Sequence, residues 1–226
     1  MGFNVAIDGP AGAGKSTIAK RLAAELGFIY VDTGAMYRGI ALYMIRSGID
    51  SHDEAAVSEA VPQADVRISY QEGEQKVILN GEDVSGLIRT EEVSAAASTT
   101  SAYKAVRLHL LELQRTLAAE NDVIMDGRDI GTTILPDAQV KVYLTASVEC
   151  RAKRRYDELT AKGETHELSK IEEDIRQRDH QDMTREISPL KKAEDAIEVD
   201  SSDMTIDEVV EAIRRLVDEK DKRNMI

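Results

Sequence analysis

The stretch Gly9-Pro10-Ala11-Gly12-Ala13-Gly14-Lys15-Ser16 constrains this chain more than any other. It fits G-x-x-x-x-G-K-[ST] and sits where that pattern carries meaning, between a strand and a helix. Phe3 to Asp8 (FNVAID) is a short apolar strand that Gly9 breaks at once. From Ser16 to Leu26 the apolar Ile18, Leu22 and Leu26 recur every four positions, one face of a helix that Gly27 stops. The chemistry needs these residue types. Glycines let backbone N–H groups turn inward around phosphate oxygens, with φ values that other residues resist. The helix adds its N-terminal dipole. Lys15 is placed to reach the β- and γ-phosphates, and the Ser16 hydroxyl, next to Thr17, to ligate Mg²⁺. A nucleotide site follows; the reaction does not yet.

The surrounding rhythm predicts the architecture. Phe28 to Asp32 (FIYVD) is a second strand, and a helix runs from about Ala35 to Ser47 with a glycine stop at 48. Strand, loop, helix, strand is the unit of a parallel sheet covered by helices. Ala64 to Tyr70 and Lys76 to Asn80 instead alternate apolar and polar residues around a loop at 71–75, an antiparallel hairpin that reads as an insert. Helices follow at about Glu91 to Ser101 and Tyr103 to Glu120. Strands return at Val123 to Asp126, Val140 to Leu144 and Ala196 to Asp200, with helices at Val148 to Lys162, Leu168 to Met183 and Ile206 to Lys220. A polar turn lies at Gly163 to Glu167, and residues 221–226 read as a frayed tail.

Charge and composition narrow the function. In 226 residues, 29 Lys and Arg stand against 42 Asp and Glu, a formal net charge of −13. A long polyanion would bind against that field, so a general nucleic-acid partner is not expected. A local nest of amides and arginines can still hold a small anion. No apolar run approaches the roughly 18 residues of a membrane helix, and no basic region precedes the first apolar stretch, so neither a membrane partner nor a signal peptide is expected. The single cysteine, Cys150, excludes an internal disulfide and suits a reducing cytoplasm. The four histidines (52, 109, 166 and 180) lack ligand-like spacing, so no zinc site is expected.

Further charged groups invite a chemical reading. Val123-Ile124-Met125-Asp126 has the shape of a strand ending in a Mg²⁺-directed carboxylate, or of a buried strand with an ordinary turn Asp. Gly127-Arg128-Asp129 then puts an arginine and a second acid beside the phosphate loop. In Asp32-Thr33-Gly34-Ala35-Met36-Tyr37-Arg38, Thr33 is placed to cap the next helix, with Arg38 about one turn inside it, either a bidentate phosphate ligand or a solvated surface group. Arg178, Asp182 and Arg185 share a helix face, either an exposed ion-pair ladder or a charged surface closing over phosphates and sugar. Arg151, Arg154 and Arg155 open the preceding helix and are placed to act with it as a lid that excludes water. Two classes remain open on the residues alone: a phosphotransferase, or a nucleotide-driven switch. None of the four asparagines is followed by Lys, so the Asn-Lys-x-Asp guanine motif is absent.

Five motifs together resemble the bacterial cytidylate (CMP) kinases of the nucleoside monophosphate kinase superfamily, over essentially the whole chain. They are IDGPAGAGKST at 7–17, DTGAMYR at 32–38, GEDVSGLIRTEEVS at 81–94, DGRDIGT at 126–132 and RQRDHQDMTREISPL at 176–190. The resemblance implies an α/β P-loop NTPase three-layer sandwich: a five-stranded parallel sheet flanked by helices, a small antiparallel β insert and a helical lid. It divides one kinase unit into a core (about 1–60, 88–150 and 190–226), a nucleoside-monophosphate-binding insert (about 61–87) and a lid (about 151–189). It implies phosphoryl transfer from ATP to CMP or dCMP with Mg²⁺; a same-fold kinase for UMP, AMP or shikimate is the alternative. With no heptad or other assembly element in the sequence, a monomer is expected.

Carried over by matching motif, residues 9–17 (Gly9, Pro10, Ala11, Gly12, Ala13, Gly14, Lys15, Ser16 and Thr17) and Arg154 bind ATP. Ser16 ligates Mg²⁺, with Asp126 reaching the ion through water and standing beside CMP. Arg38 and Arg128 hold the CMP phosphate, and Ser98, Arg107 and Asp129 read the cytosine with Arg185 nearby. Thr33, Tyr37, Arg178 and Asp182 contact the sugar and close the site. Lys15, Arg128, Arg178 and Arg185 are the expected catalytic set. Cytosine offers a donor at N4 and acceptors at N3 and O2, so an acceptor beside an arginine suits it, and uracil would leave buried groups unpaired.

Overall fold

The computed structural model describes residues 2–221. In chain order the elements are β1 (Asn4–Asp8), α1 (Lys15–Leu26), β2 (Ile29–Asp32), α2 (Thr33–Arg46), α3 (Glu54–Ala60), β3 (Val66–Gln71), β4 (Glu74–Leu79), β5 (Glu82–Asp83), α4 (Glu91–Thr100), α5 (Lys104–Glu120), β6 (Val123–Gly127), β7 (Val140–Thr145), α6 (Val148–Ala161), α7 (Leu168–Thr184), β8 (Ile197–Asp200) and α8 (Ile206–Lys220). Five strands form a parallel sheet in the order β2-β6-β1-β7-β8, and β3, β4 and β5 form a separate antiparallel sheet. Among the described residues no helix is long and apolar enough to cross a membrane.

The parallel sheet is covered on both faces, and the period of two in β1 shows why. Val5 and Ile7 point into a core built with Ile18 and Leu22 of α1 and Val209, Ile213 and Val217 of α8. Ala6, between them, points into a second core with Met36, Ile40 and Met44 of α2 and Val106 and Leu110 of α5. Val66, Val77 and Leu79 of the small sheet join that second core, so the hairpin packs on α2 through its apolar face. The α6–α7 pair has a small cluster of its own, Ala152, Leu159 and Ile171.

Several local details differ from the sequence reading. The expected five-residue loop of the hairpin is a tight two-residue turn: Glu72 and Gly73 both take positive φ (53° and 79°), the geometry that matches strand twist. Helix α3, capped by Asp53 on the Ala56 N–H, buries only Val57, too little periodicity to announce itself. Helix α2 begins at Thr33, and its cap is Asp32, whose carboxylate accepts from the Ala35 N–H at 2.9 Å. Thr33 is therefore not the cap; its hydroxyl is used elsewhere. At the end of α8, Asp221 is buried and its N–H reaches Val217 O at 2.7 Å rather than fraying, while the rest of the expected tail, 222–226, lies outside the described residues.

Candidate active site

The parallel register brings the chemistry to one edge. Asp126 lies level with Ile7 on one side and Asp32 on the other, and Asp8 with Gly127 and Tyr143, so the C-terminal ends of β1, β2 and β6 open together. In open α/β sheets this is where ligands sit. A cleft of about 790 Å³ lies there.

The phosphate loop forms its floor. At Gly9 φ is +150°, and a Cβ would fall 1.9 Å from Leu144 O of β7, so only glycine passes this strand end. Gly14 turns the loop into α1 at φ +86°. Ala11 to Thr17 line the cleft, whereas Gly9 and Pro10 act from beneath, their carbonyls accepting from Lys15 Nζ at 2.8 and 2.7 Å. That leaves one of the three ammonium hydrogens for another acceptor. Burial, aided by the nearby Arg128 cation, pulls the Lys15 pKa down, while Asp126 and Asp8 oppose the shift.

Asp126 joins the loop to the second strand. Its Oδ2 accepts from Ser16 Oγ at 2.9 Å, its Oδ1 from the Tyr30 hydroxyl at 2.9 Å, and its backbone carbonyl from Thr33 Oγ1 at 2.8 Å. Burial, and then the Asp32 charge, push its pKa up against Lys15, Ser16 and Tyr30. Asp126 is thus a carboxylate facing the phosphate loop rather than an ordinary turn Asp.

Across the cleft, arginines face carboxylates. Arg38 Nη2 lies 3.0 Å from Asp32 Oδ2; Arg128 Nε donates to Asp182 Oδ2 at 2.7 Å; Arg107 Nη2 donates to Asp129 Oδ2 at 2.5 Å. Arg185 approaches Asp129 at 3.6 Å and Asp182 at 3.7 Å, and donates to Ser188 O. The Arg107 guanidinium lies over the Tyr37 ring, 5.4 Å from its centroid. Ser98 of α4 lines the cleft beside them. Burial acts to raise the Asp182 pKa, but the Arg128 charge and hydrogen bond hold it below the usual range. Arg178 lines the cleft without a hydrogen bond or an ion pair within 4 Å among the described residues. Desolvation, with Arg128 and Arg38 nearby, lowers its pKa. The 178/182/185 face therefore lines the cleft, with Asp182 buried and Arg178 exposed and outside any ion-pair ladder, and Arg185 sits just past the end of α7.

The three arginines of α6 divide. Arg151 is buried: Nε reaches Ala146 O at 2.9 Å, Nη1 reaches Ala11 O at 2.9 Å, and both Nη atoms fork onto Asp179 of α7 at 3.1 and 2.6 Å. It staples the phosphate loop to α6 and α7 with four of its five N–H groups, while lining the cleft. Arg154 lines the cleft while donating to Ser201 O at 2.7 Å, and Arg155 pairs with Glu158 at 3.0 Å.

Asp8 is the residue that pattern reading missed. Its two oxygens accept from the Ile130 and Gly131 N–H groups at 2.7 and 2.8 Å. These open a wide turn over Ile130–Ile134, closed by the Leu135 N–H on Ile130 O at 2.7 Å, which fixes Arg128 and Asp129 just before it. Burial raises the Asp8 pKa to about 6. Its position immediately before Gly9 was the available signal.

A five-stranded parallel sheet carrying this phosphate loop defines a P-loop fold, and a shikimate kinase from Acinetobacter baumannii, solved with shikimate, shares it (TM-score 0.50, 16% identity, covering 98% of this chain and 96% of that one). The family model for cytidylate kinase matches residues 5–219. A cytidylate kinase from Lactobacillus gasseri is 53% identical over 220 residues, 97% of this chain and 96% of that protein. One from Pediococcus pentosaceus is 50% identical, covering 98% of each. The chain belongs to the cytidylate kinase family.

Proposed function

We infer that this enzyme transfers the γ-phosphoryl group of ATP to CMP or dCMP, giving ADP and CDP or dCDP. The observation that carries the reading is one cleft with two anion sites facing each other: the phosphate loop with Lys15, and the arginine set of Arg38, Arg128, Arg178 and Arg185. A switch needs only the first.

The roles carried over from the family motifs fit these positions. The loop N–H groups and Lys15 hold the donor phosphates, with Arg154 over the nucleotide beside Ser201. Arg38 and Arg128 hold the acceptor phosphate. Ser98, with the paired Arg107 and Asp129, meets the base edge, and Thr33, Tyr37, Arg178 and Asp182 meet the sugar and close the site. The Ser16 hydroxyl and Asp126 carboxylate, hard oxygen donors 2.9 Å apart, fit Mg²⁺. When bound, the ion neutralises charge on the donor phosphate oxygens.

In the reaction an acceptor phosphate oxygen forms a bond to the γ-phosphorus as the bond from that phosphorus to the β–γ bridging oxygen breaks. The attacking oxygen is already ionised at neutral pH, so no general base is required. Lys15, Arg128, Arg178 and Arg185 stabilise charge spread over the equatorial oxygens. Residues 151–189 act as a lid that excludes water, and residues 61–87 as the acceptor-side insert. A cleft built by one chain supports a monomer, acting in the cytoplasm on diffusing nucleotides.

The test is ADP release with Mg-ATP and CMP, dCMP, UMP, AMP, GMP or shikimate, alongside Arg128→Ala. Turnover strongest with CMP and dCMP, and lost in the variant, supports the acceptor and the arginine role. Preference for another acceptor discards the base-site roles. Tight ATP binding without turnover on any acceptor favours a switch.

A further inference from the structure

Strand β2 lies at the edge of the parallel sheet, paired only with β6. Its outer backbone groups are taken by side chains of the hairpin. The Tyr70 hydroxyl donates to Tyr30 O at 3.1 Å. At Asp32 a single amide serves both directions: Gln75 Oε1 accepts from the Asp32 N–H at 2.8 Å, and Gln75 Nε2 donates to Asp32 O at 3.2 Å. Tyr70 and Gln75 are directly opposed across β3 and β4, so their side chains leave the hairpin on one face. The amide reproduces the two-way pairing that a neighbouring strand would offer.

What it holds matters more than that it holds. The peptide groups on both sides of the Asp32 Cα are fixed, and with them the direction of the Asp32 carboxylate. Oδ1 caps α2 and Oδ2 holds Arg38 Nη2 at 3.0 Å, with Arg89 at 3.6 Å. The hairpin does not need Gln75 to stay in place, because Val66, Val77 and Leu79, further along the same face, are buried against α2. That packing is close: a Cβ on Gly39 of α2 would sit 3.2 Å from Val77 Cγ1.

We infer that Gln75 is a positioning residue for the acceptor phosphate. It acts through Asp32 on Arg38, so that the insert sets the aim of the guanidinium. The ligand chemistry is a phosphate monoester dianion, and the inference rests on the reading of Arg38 as its ligand. The sequence offered no sign of it, since Gln75 fell in the expected loop.

The experiment measures CMP and ATP kinetics, and CMP affinity by calorimetry, for the full chain and for Gln75→Ala, Gln75→Leu, Tyr70→Phe, Arg38→Ala and the Gln75→Ala/Arg38→Ala double variant. Loss of one net hydrogen bond on the acceptor side predicts a CMP KM raised about tenfold in Gln75→Ala, with ATP KM and kcat within about twofold. Gln75→Leu, which keeps the volume, should match it. Tyr70→Phe loosens the same docking without touching Asp32 and should leave the CMP KM unchanged. In the Arg38→Ala background, Gln75→Ala should add no more than about twofold, the coupling expected of two residues in one network. An unchanged CMP KM in Gln75→Ala while Arg38→Ala raises it overturns the inference and leaves the functional reading standing. Equal effects of Tyr70→Phe and Gln75→Ala, or full additivity with Arg38→Ala, also overturn it. An Arg38→Ala variant that binds CMP normally overturns the acceptor-phosphate reading itself.

Discussion

Arg151 offers the sharpest separation of a structural role from a chemical one. Its guanidinium is buried, and four of its five N–H groups go to protein: Ala146 O, Ala11 O and both oxygens of Asp179. Truncation to Ala strands the Asp179 carboxylate, itself buried, without its cation. Breaking a buried pair from one side costs about 3–5 kcal/mol. For a chain of this size each kcal/mol moves the melting temperature by roughly 2–4 °C, so Arg151→Ala should lower Tm on the order of 10 °C. The double replacement Arg151→Met/Asp179→Leu removes both charges and fills similar volume, and should recover most of that loss. Thermal unfolding followed by circular dichroism, beside ATP titrations, reads both quantities. A Tm within about 2 °C of the parent together with a collapse of ATP affinity would refute the staple and return Arg151 to the phosphates. A double variant no more stable than the single one would place the loss in the bonds to Ala11 and Ala146 instead.

Three further outcomes are expected. Asp8 has a folded pKa of about 6 against 3.8 in the open chain, so the folded state binds more protons between those values. Its contribution to stability therefore falls as pH rises from 4 to 7, by roughly 3 kcal/mol; urea titrations at both ends should show this component in the parent and not in Asp8→Asn. Gly9→Ala, with its new Cβ 1.9 Å from Leu144 O, should yield little soluble folded protein, and a normal melting curve would contradict the close approach. Ser98→Ala should lower kcat/KM for CMP roughly tenfold while changing UMP less, and parallel losses for both would count against base reading.

How much of this was legible depends on where each signal lives. The phosphate loop and the βα rhythm follow from local pattern, because Gly9 to Ser16 and the four-residue spacing of Ile18 and Leu22 are consequences of φ and helix geometry. Arg38, Arg128, Arg178, Asp182 and Arg185 drew notice as charges needing partners, but which partner each took was a matter of tertiary register. Asp182 bonds Arg128, 54 residues away, in preference to its helix neighbour Arg178. Thr33 lost the capping role to Asp32 because its hydroxyl had a buried carbonyl to reach, at Asp126. Ser98 and Arg107 carry no signal beyond a helix position, and only family resemblance singles them out. Asp8 and Asp179 lie inside quoted motifs that do not say which partner each takes, and Gln75 carries no periodic or motif signal, since each acts on backbone or on a side chain distant in sequence.

The matched arginines and carboxylates of the cleft bear on how a nucleotide arrives as well as on how it is held. Each of Arg38, Arg107, Arg128 and Arg185 already faces an acid, so among the arginines of the cleft the unmatched positive charge rests on Arg154 and Arg178, which have no ion pair within 4 Å among the described residues. The whole chain, at −13, repels an approaching polyphosphate. Capture at the four paired arginines is then a local exchange of partners after an encounter that the net charge opposes, and screening should help it. Raising salt from about 0.01 to 0.15 M, where the Debye length shrinks from roughly 30 to 8 Å, should speed nucleotide association, the reverse of a steered enzyme.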